Sequence, residues 1–263
     1  MTELRALLLI TIAGVGVSAL QAKDSGCTVA DFSGTFAITV TGSILPGLPI
    51  SGDFGRLGKV VADGAGNTVA TTLANYNGNN VEEDFPGVYQ VSDNCYLTWQ
   101  ATLPTGNLAV RFEGIIASGG TEVVLFIADP PGAVLLGNLK KQKDGACTAA
   151  DLKGTYALSL AGPVEPGLPI SGQFGRVGQV VFDAAGSASA TTIASYGGAV
   201  LRENFSGAYT VSADCHLTWT TVLPPPVGLQ ITVEGAITAD SAQVKLMITN
   251  PPGAVILGSL TKQ

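Results

Sequence analysis

Histidine is almost missing from this chain: His216 is the one instance in 263 residues. It lies next to Cys215, and the matching position in the first half of the chain is Tyr96. Serines are plentiful, but none has a histidine partner in both halves, so no repeated serine relay can be built. Charge is scarce as well. Charged residues make up 13% of the chain and the net charge is −7, against about a quarter charged in an ordinary soluble domain. The longest basic stretch, Lys140-Lys141-Gln142-Lys143, is short and reads as a solvated joint. Without Lys/Arg clusters the chain offers no footprint for nucleic acid or an anionic membrane surface. Aromatic residues reach only 6%, too few for the two girdles of a membrane barrel. The glycine-rich GDFGRLG at 52–58 is not followed by a helix that could present amides to a phosphate. No cofactor, no metal site and no catalytic residue is assigned on these grounds.

Residues 1–22 read MTELRALLLITIAGVGVSALQA. Arg5 precedes an apolar run from Ala6 to Val17, and small residues follow at Ser18, Ala19 and Ala22. This order predicts a signal peptide, because the run is too short to span a bilayer. Cleavage after Ala19 and after Ala22 both fit. No second apolar run of spanning length follows. The mature chain is therefore expected to be secreted or periplasmic, without a membrane span.

What the chain does contain is a duplication. CTVADFSGTFAITVTG from Cys27 matches CTAADLKGTYALSLAG from Cys147. PGLPISGDFGRLGKVVAD matches PGLPISGQFGRVGQVVFD, and PPGAVLLGNLKKQ matches PPGAVILGSLTKQ. The offset is 120 residues up to Leu103/Leu223 and 121 after an extra residue in LPPPVGL. About half of the paired positions are identical. Each copy has a single-domain size of about 115 residues, and the period is far longer than a solenoid repeat. The expected organisation is a signal peptide at 1–22, a first domain at 23–143 and a second at 144–263. Cys27 and Cys95 are 68 residues apart, as are Cys147 and Cys215. In an exported chain this matched spacing predicts disulfides Cys27–Cys95 and Cys147–Cys215.

Alternating apolar and polar residues, broken by turn residues at short intervals, predict strands throughout. In the first copy they fall near Gly34–Thr41, Gly52–Asp63, Asn67–Tyr76, Asn80–Val91, Tyr96–Leu103, Leu108–Ser118, Glu122–Ala128 and Ala133–Leu139. DGAGN, NGN, SDN, PTGN, SGG and DPPG mark the turns. Eight sequential strands joined by tight turns predict an all-β chain of two tandem antiparallel up-and-down β-barrels, since closure removes exposed edges. Two β-sandwiches are the alternative. An immunoglobulin-like sandwich fits the cysteine spacing, but Cys27 precedes the first strand and Trp99 follows the second cysteine.

With Gly34-Thr35-Phe36 and Gly154-Thr155-Tyr156 opening the first strand of each copy, the layout resembles the calycin group, lipocalins and their relatives, and the allene-oxide-cyclase-like barrels. The Gly-x-Trp that lipocalins favour at this opening is absent from both copies, and the disulfide from a pre-strand cysteine departs from their pattern. The resemblance implies a barrel that holds a small apolar molecule, or in some members cyclises one.

Charges present in both copies form a short series. Asp63 and Asp183 begin turns, and Asp31 and Asp151 are expected to cap the approach to the first strand. Arg56, Glu83 and Glu113, with Arg176, Glu203 and Glu234, lie within strands. In VRFEGI, Val110 and Phe112 share one face and Arg111 and Glu113 the other, which reads as a solvated ion pair. The sharper reading gathers Arg56, Tyr76, Glu83 and Glu113, and equally Arg176, Tyr196, Glu203 and Glu234, at a barrel mouth as ligand-binding residues. A carboxylate desolvated there would be suited to moving a proton. Phe54, Phe85, Tyr89 and Trp99 line a cavity or fill the core. Three functions follow: an exported module binding a small apolar ligand, a cofactor-free cyclase or isomerase, and a structural or adhesive surface protein. Oligomeric state is left open.

Overall fold

A computed structural model describes residues 26–263. The signal peptide expected at 1–22 lies outside the described residues. The remaining chain forms two closed, antiparallel, eight-stranded barrels in sequence. The first contains β1 (Ser33–Ile44), β2 (Gly52–Asp63), β3 (Asn67–Tyr76), β4 (Asn79–Val91), β5 (Tyr96–Leu103), β6 (Leu108–Ala117), β7 (Glu122–Asp129) and β8 (Ala133–Lys141). The second contains β9 (Gly154–Val164), β10 (Gly172–Phe182), β11 (Ser187–Tyr196), β12 (Ala199–Val211), β13 (His216–Val222), β14 (Gln230–Ile237), β15 (Gln243–Asn250) and β16 (Leu257–Lys262). Each strand pairs with its sequence neighbour, and β8 returns to β1 as β16 returns to β9. The sandwich alternative is thereby set aside.

Strand periodicity decides what each barrel encloses. In β3 the burial alternates from Thr68 to Ala74, with Thr68, Ala70, Thr72, Ala74 and Tyr76 turned inward, while Asn75 is buried on the outer side against the second barrel. The first core holds Phe36, Phe54, Phe85, Trp99 and Phe112, with Trp99 stacked on Phe112 at 4.7 Å between centroids. In the PGLPISG segments, Leu48 and Ile50 pack on the first core and Leu168 and Ile170 on the second. These loops therefore stop one end of each barrel.

The expected disulfides, Cys27–Cys95 and Cys147–Cys215, are both formed. Asp31 caps a short 3-10 turn, Val29–Asp31, by accepting from the Thr28 N–H at 2.8 Å, and so acts just ahead of β1. The Tyr89 hydroxyl donates to the Phe32 carbonyl at 2.7 Å and ties this segment across the barrel end. Asp63 accepts from the Ala65 and Asn67 backbone N–H groups and the Asn67 side chain. Those bonds draw its carboxyl down to about 2, the Asn67 side-chain bond first.

The barrels meet side by side. Outward-facing Ala37 of β1 and Leu57 of β2 join Ala236 of β14, Met247 of β15, Leu257 of β16 and Val255 just ahead of β16 in one buried cluster, with Leu73 of β3 beside it. Polar bonds frame it. The Asn75 amide donates to the Ala254 carbonyl at 2.9 Å and the Asn80 amide to the Thr249 carbonyl at 2.6 Å. Lys59 pairs with Asp214 at 3.0 Å, and the Gly253 N–H donates to the Gly78 carbonyl at 2.8 Å.

Candidate functional site

Phe54 and Arg56 are two residues apart on β2 and therefore point the same way, into the first barrel. On β3, Thr72, Ala74 and Tyr76 share that direction, and on β4 Glu83 and Phe85 do. The antiparallel register sets Tyr76 across from Phe54 and Thr72 across from Glu83. These alternations bring Arg56, Tyr76 and Glu83 together inside the barrel, all three buried.

Arg56 and Glu83 form a direct ion pair. Arg56 also donates to the Thr72 hydroxyl at 2.9 Å and to the Tyr76 hydroxyl at 3.1 Å. Tyr76 in turn donates to the Glu83 carboxylate at 3.0 Å, and the Thr105 N–H donates to its Oε1 at 3.0 Å. The guanidinium lies between two rings, 5.5 Å from the Phe54 centroid and 5.0 Å from that of Phe85. Burial pushes the Tyr76 hydroxyl up to about 12. It is thus a firm hydrogen-bond donor and a poor acid.

The second barrel repeats the cluster. Arg176 reaches Glu203 and the Tyr196 hydroxyl, each at 2.5 Å, and Tyr196 bonds Glu203 at 3.0 Å. Phe174 and Phe205 flank the guanidinium at 5.5 and 5.0 Å. Burial raises the Tyr196 hydroxyl to about 12. The copies differ in their outer bonds. Pro225 stands in the turn where the first copy has Thr105, and proline has no N–H to offer Glu203. Arg176 Nε and the Thr192 hydroxyl have no hydrogen-bond partner. Trp99 donates to the Thr68 hydroxyl at 2.9 Å, whereas Trp219 faces Ala188 at that position and its N–H is unpartnered.

Glu113 and Glu234 are not brought into these clusters. Glu113 projects from the outer face of β6, where it meets Arg111 and the Tyr96 hydroxyl, and Arg111 also pairs with Asp129 at 2.6 Å. Glu234 lies outside the second barrel, accepting from the Thr218 hydroxyl at 2.8 Å and meeting His216 at 2.5 Å. His216 opens onto a cleft of about 270 Å³ between the barrels, shared with Lys59, Glu82, Asp84 and Asp214. Thr72 and Thr105 were missed in the sequence. The inward direction of Thr72 is signalled by its even spacing from Ala70, Ala74 and Tyr76, but nothing local signals the Thr105 N–H.

The enclosed space beside the second cluster is small. In the second barrel a void of about 20 Å³ is lined by Leu168, Phe174, Arg176, Tyr196, Leu223 and Ile248, among others. A shallow groove of about 400 Å³ lies at the same end, against Ile170, Tyr196, Leu201 and Val227. Among the described residues no group of His, Cys, Asp and Glu could hold a metal ion, and no helix is long and apolar enough to cross a membrane. No protein family and no curated protein matches the chain.

Proposed function

We propose that this chain is an exported, non-catalytic surface protein, a pair of rigid barrels that acts through its outer faces. The observation that carries this reading is the filling of the second barrel's interior. The void in the second barrel is about 20 Å³, roughly the room for one water, where a small-molecule site occupies roughly 300–1,000 Å³. Each buried carboxylate is already engaged by an arginine and a tyrosine. A base in that state has little capacity left for a substrate proton. Two disulfides support maturation in an oxidising compartment, outside the cell or in the periplasm, in keeping with the signal-like residues 1–22. The closed eight-stranded barrels support the calycin likeness at the level of architecture.

A second reading, an apolar ligand held at the barrel end, is favoured by the groove beside Ile170, Leu201 and Val227. It requires the PGLPISG loop to lift so that groove and void join. Native mass spectrometry of the purified chain with a panel of fatty acids, sterols and retinoids separates the two. The expected result is no retained molecule. One molecule retained per chain and lost on Ile170→Asp, or two of which Ile170→Asp removes one and Ile50→Asp the other, would replace the surface reading with the ligand-carrier one.

A further inference from the structure

The contact between the barrels is heterologous: the β1–β3 face of the first barrel meets the β14–β16 face of the second. Because the chain is a duplication, each barrel carries both faces and uses only one. The unused faces are β9–β11 on the second barrel and β6–β8 on the first.

Both unused faces keep the apolar character of the buried ones. Gly55, Leu57 and Leu73 correspond to Gly175, Val177 and Ile193. Leu57 is 1% exposed in the joint and Val177 is 57% exposed outside it. Ala236, Met247, Val255 and Leu257 correspond to Ile115, Phe126, Val134 and Leu136. Met247 is fully buried while Phe126 is 43% exposed, and Leu257 at 9% contrasts with Leu136 at 67%. Val124, also exposed, stands where the second barrel has Lys245, so the free face is the more apolar of the two. At Gly55 an added Cβ would meet Leu257 Cδ1 at 2.5 Å, whereas at Gly175 it would meet nothing within 4 Å. Gly175 thus leaves open the slot that Leu257 fills in the joint.

We infer that a second copy of this chain docks its β9–β11 face onto the β6–β8 face of the first, repeating between chains the joint that each chain holds within itself. The inference rests on the surface-acting reading above and specifies its partner. Several polar bonds of the internal joint have no counterpart: Asn75 and Asn80 become Ser195 and Val200, and Lys59 and Asp214 become Gln179 and Asn94. The contact between chains therefore depends more on apolar burial than the internal one does, and it lacks a covalent tether. Since the two faces differ, a single contact leaves one free face on each chain. Repeated, the contact continues head to tail into a ring or an open filament.

Sedimentation velocity of the purified chain over a concentration series tests this. The expected result is a mean mass that rises past the dimer as concentration increases. Leu136→Glu blocks one face and Val177→Glu the other, both at exposed positions, so each variant alone should sediment as a folded monomer. Mixed, the two variants should give a one-to-one dimer and nothing larger, because one intact face of each kind remains. A wild-type chain that stays monomeric throughout, association that survives in either single variant, or a mixture without the dimer would each overturn the inference. A monomeric wild type that also retains no apolar ligand defeats the self-docking alone. A retained ligand defeats the surface reading beneath it.

Discussion

Gly55 of the first barrel lies directly under Leu257 of the second, close enough that a Cβ on Gly55 would approach Leu257 Cδ1 to 2.5 Å. The glycine backbone here is ordinary strand, so its role is space for the neighbour and not conformational freedom. Its duplicate, Gly175, has nothing within 4 Å of the same added atom.

Gly55→Val should therefore open the joint between barrels, while Gly175→Val should leave it intact. Overpacking of a tight contact costs about 1–3 kcal/mol. Because the joint, not the interior of a barrel, absorbs that cost, Gly55→Val should split thermal unfolding into two steps or lower its cooperativity in calorimetry. Equal transitions in the two variants would show that the joint yields without loss.

The buried Arg56–Glu83 pair should be expensive to break by halves and cheap to replace whole. Glu83→Leu leaves a guanidinium buried among Phe54, Phe85 and Thr72 without its carboxylate, a change that costs about 3–5 kcal/mol in comparable pairs. Arg56→Met with Glu83→Leu removes both charges and should recover most of that loss. Urea denaturation of the two single variants and the double variant gives the coupling directly. A double variant as unstable as the sum of the singles would mean that the pair contributes nothing as a pair.

Three tyrosines set an alkaline limit. Burial raises Tyr76, Tyr156 and Tyr196 from 10.0 to about 12. The folded chain keeps these protons where the unfolded chain has released them. Their contribution to stability is present in full below pH 10 and is lost as pH climbs from 10 toward 12. Tyrosinate absorbance should show these groups titrating late and together with loss of the barrels. Tyr76→Phe with Tyr196→Phe should flatten the fall in stability over that interval.

Much of this structure is legible in strand parity. The spans Gly52–Asp63, Asn67–Tyr76 and Tyr96–Leu103 follow from alternation and turn residues alone, and the structure places those strands at the same residues. Parity also separates the charges. Glu83 is two residues from inward Phe85, and Arg56 two from inward Phe54, whereas Glu113 is one residue from inward Phe112 and so projects outward. Reading Glu113 together with Glu83 overlooks that rule. The joint between barrels is not legible in this way. Leu57 and Met247 are outward-facing residues on their own strands, and only the docking of the second barrel makes them buried. Packing density is equally non-local: the 20 Å³ void depends on how eight strands and a loop converge.

Trp219 offers a repair. Its counterpart Trp99 donates to the Thr68 hydroxyl at 2.9 Å, but Ala188 occupies that place in the second barrel and the indole N–H is buried without a partner. A neutral hydrogen bond contributes about 1 kcal/mol net, and an unmet buried donor costs about 1–3 kcal/mol. Ala188→Thr should supply the acceptor on a strand where threonine also suits the backbone, raising stability by about 1 kcal/mol. Thr68→Ala in the first barrel should lower it by a similar amount by recreating the same defect. Both changes are read by urea midpoint at constant slope, and indole exchange in NMR reports whether the bond has formed. Ala188→Thr without slower Trp219 indole exchange would mean that the added hydroxyl turns elsewhere, and the predicted gain should then be absent.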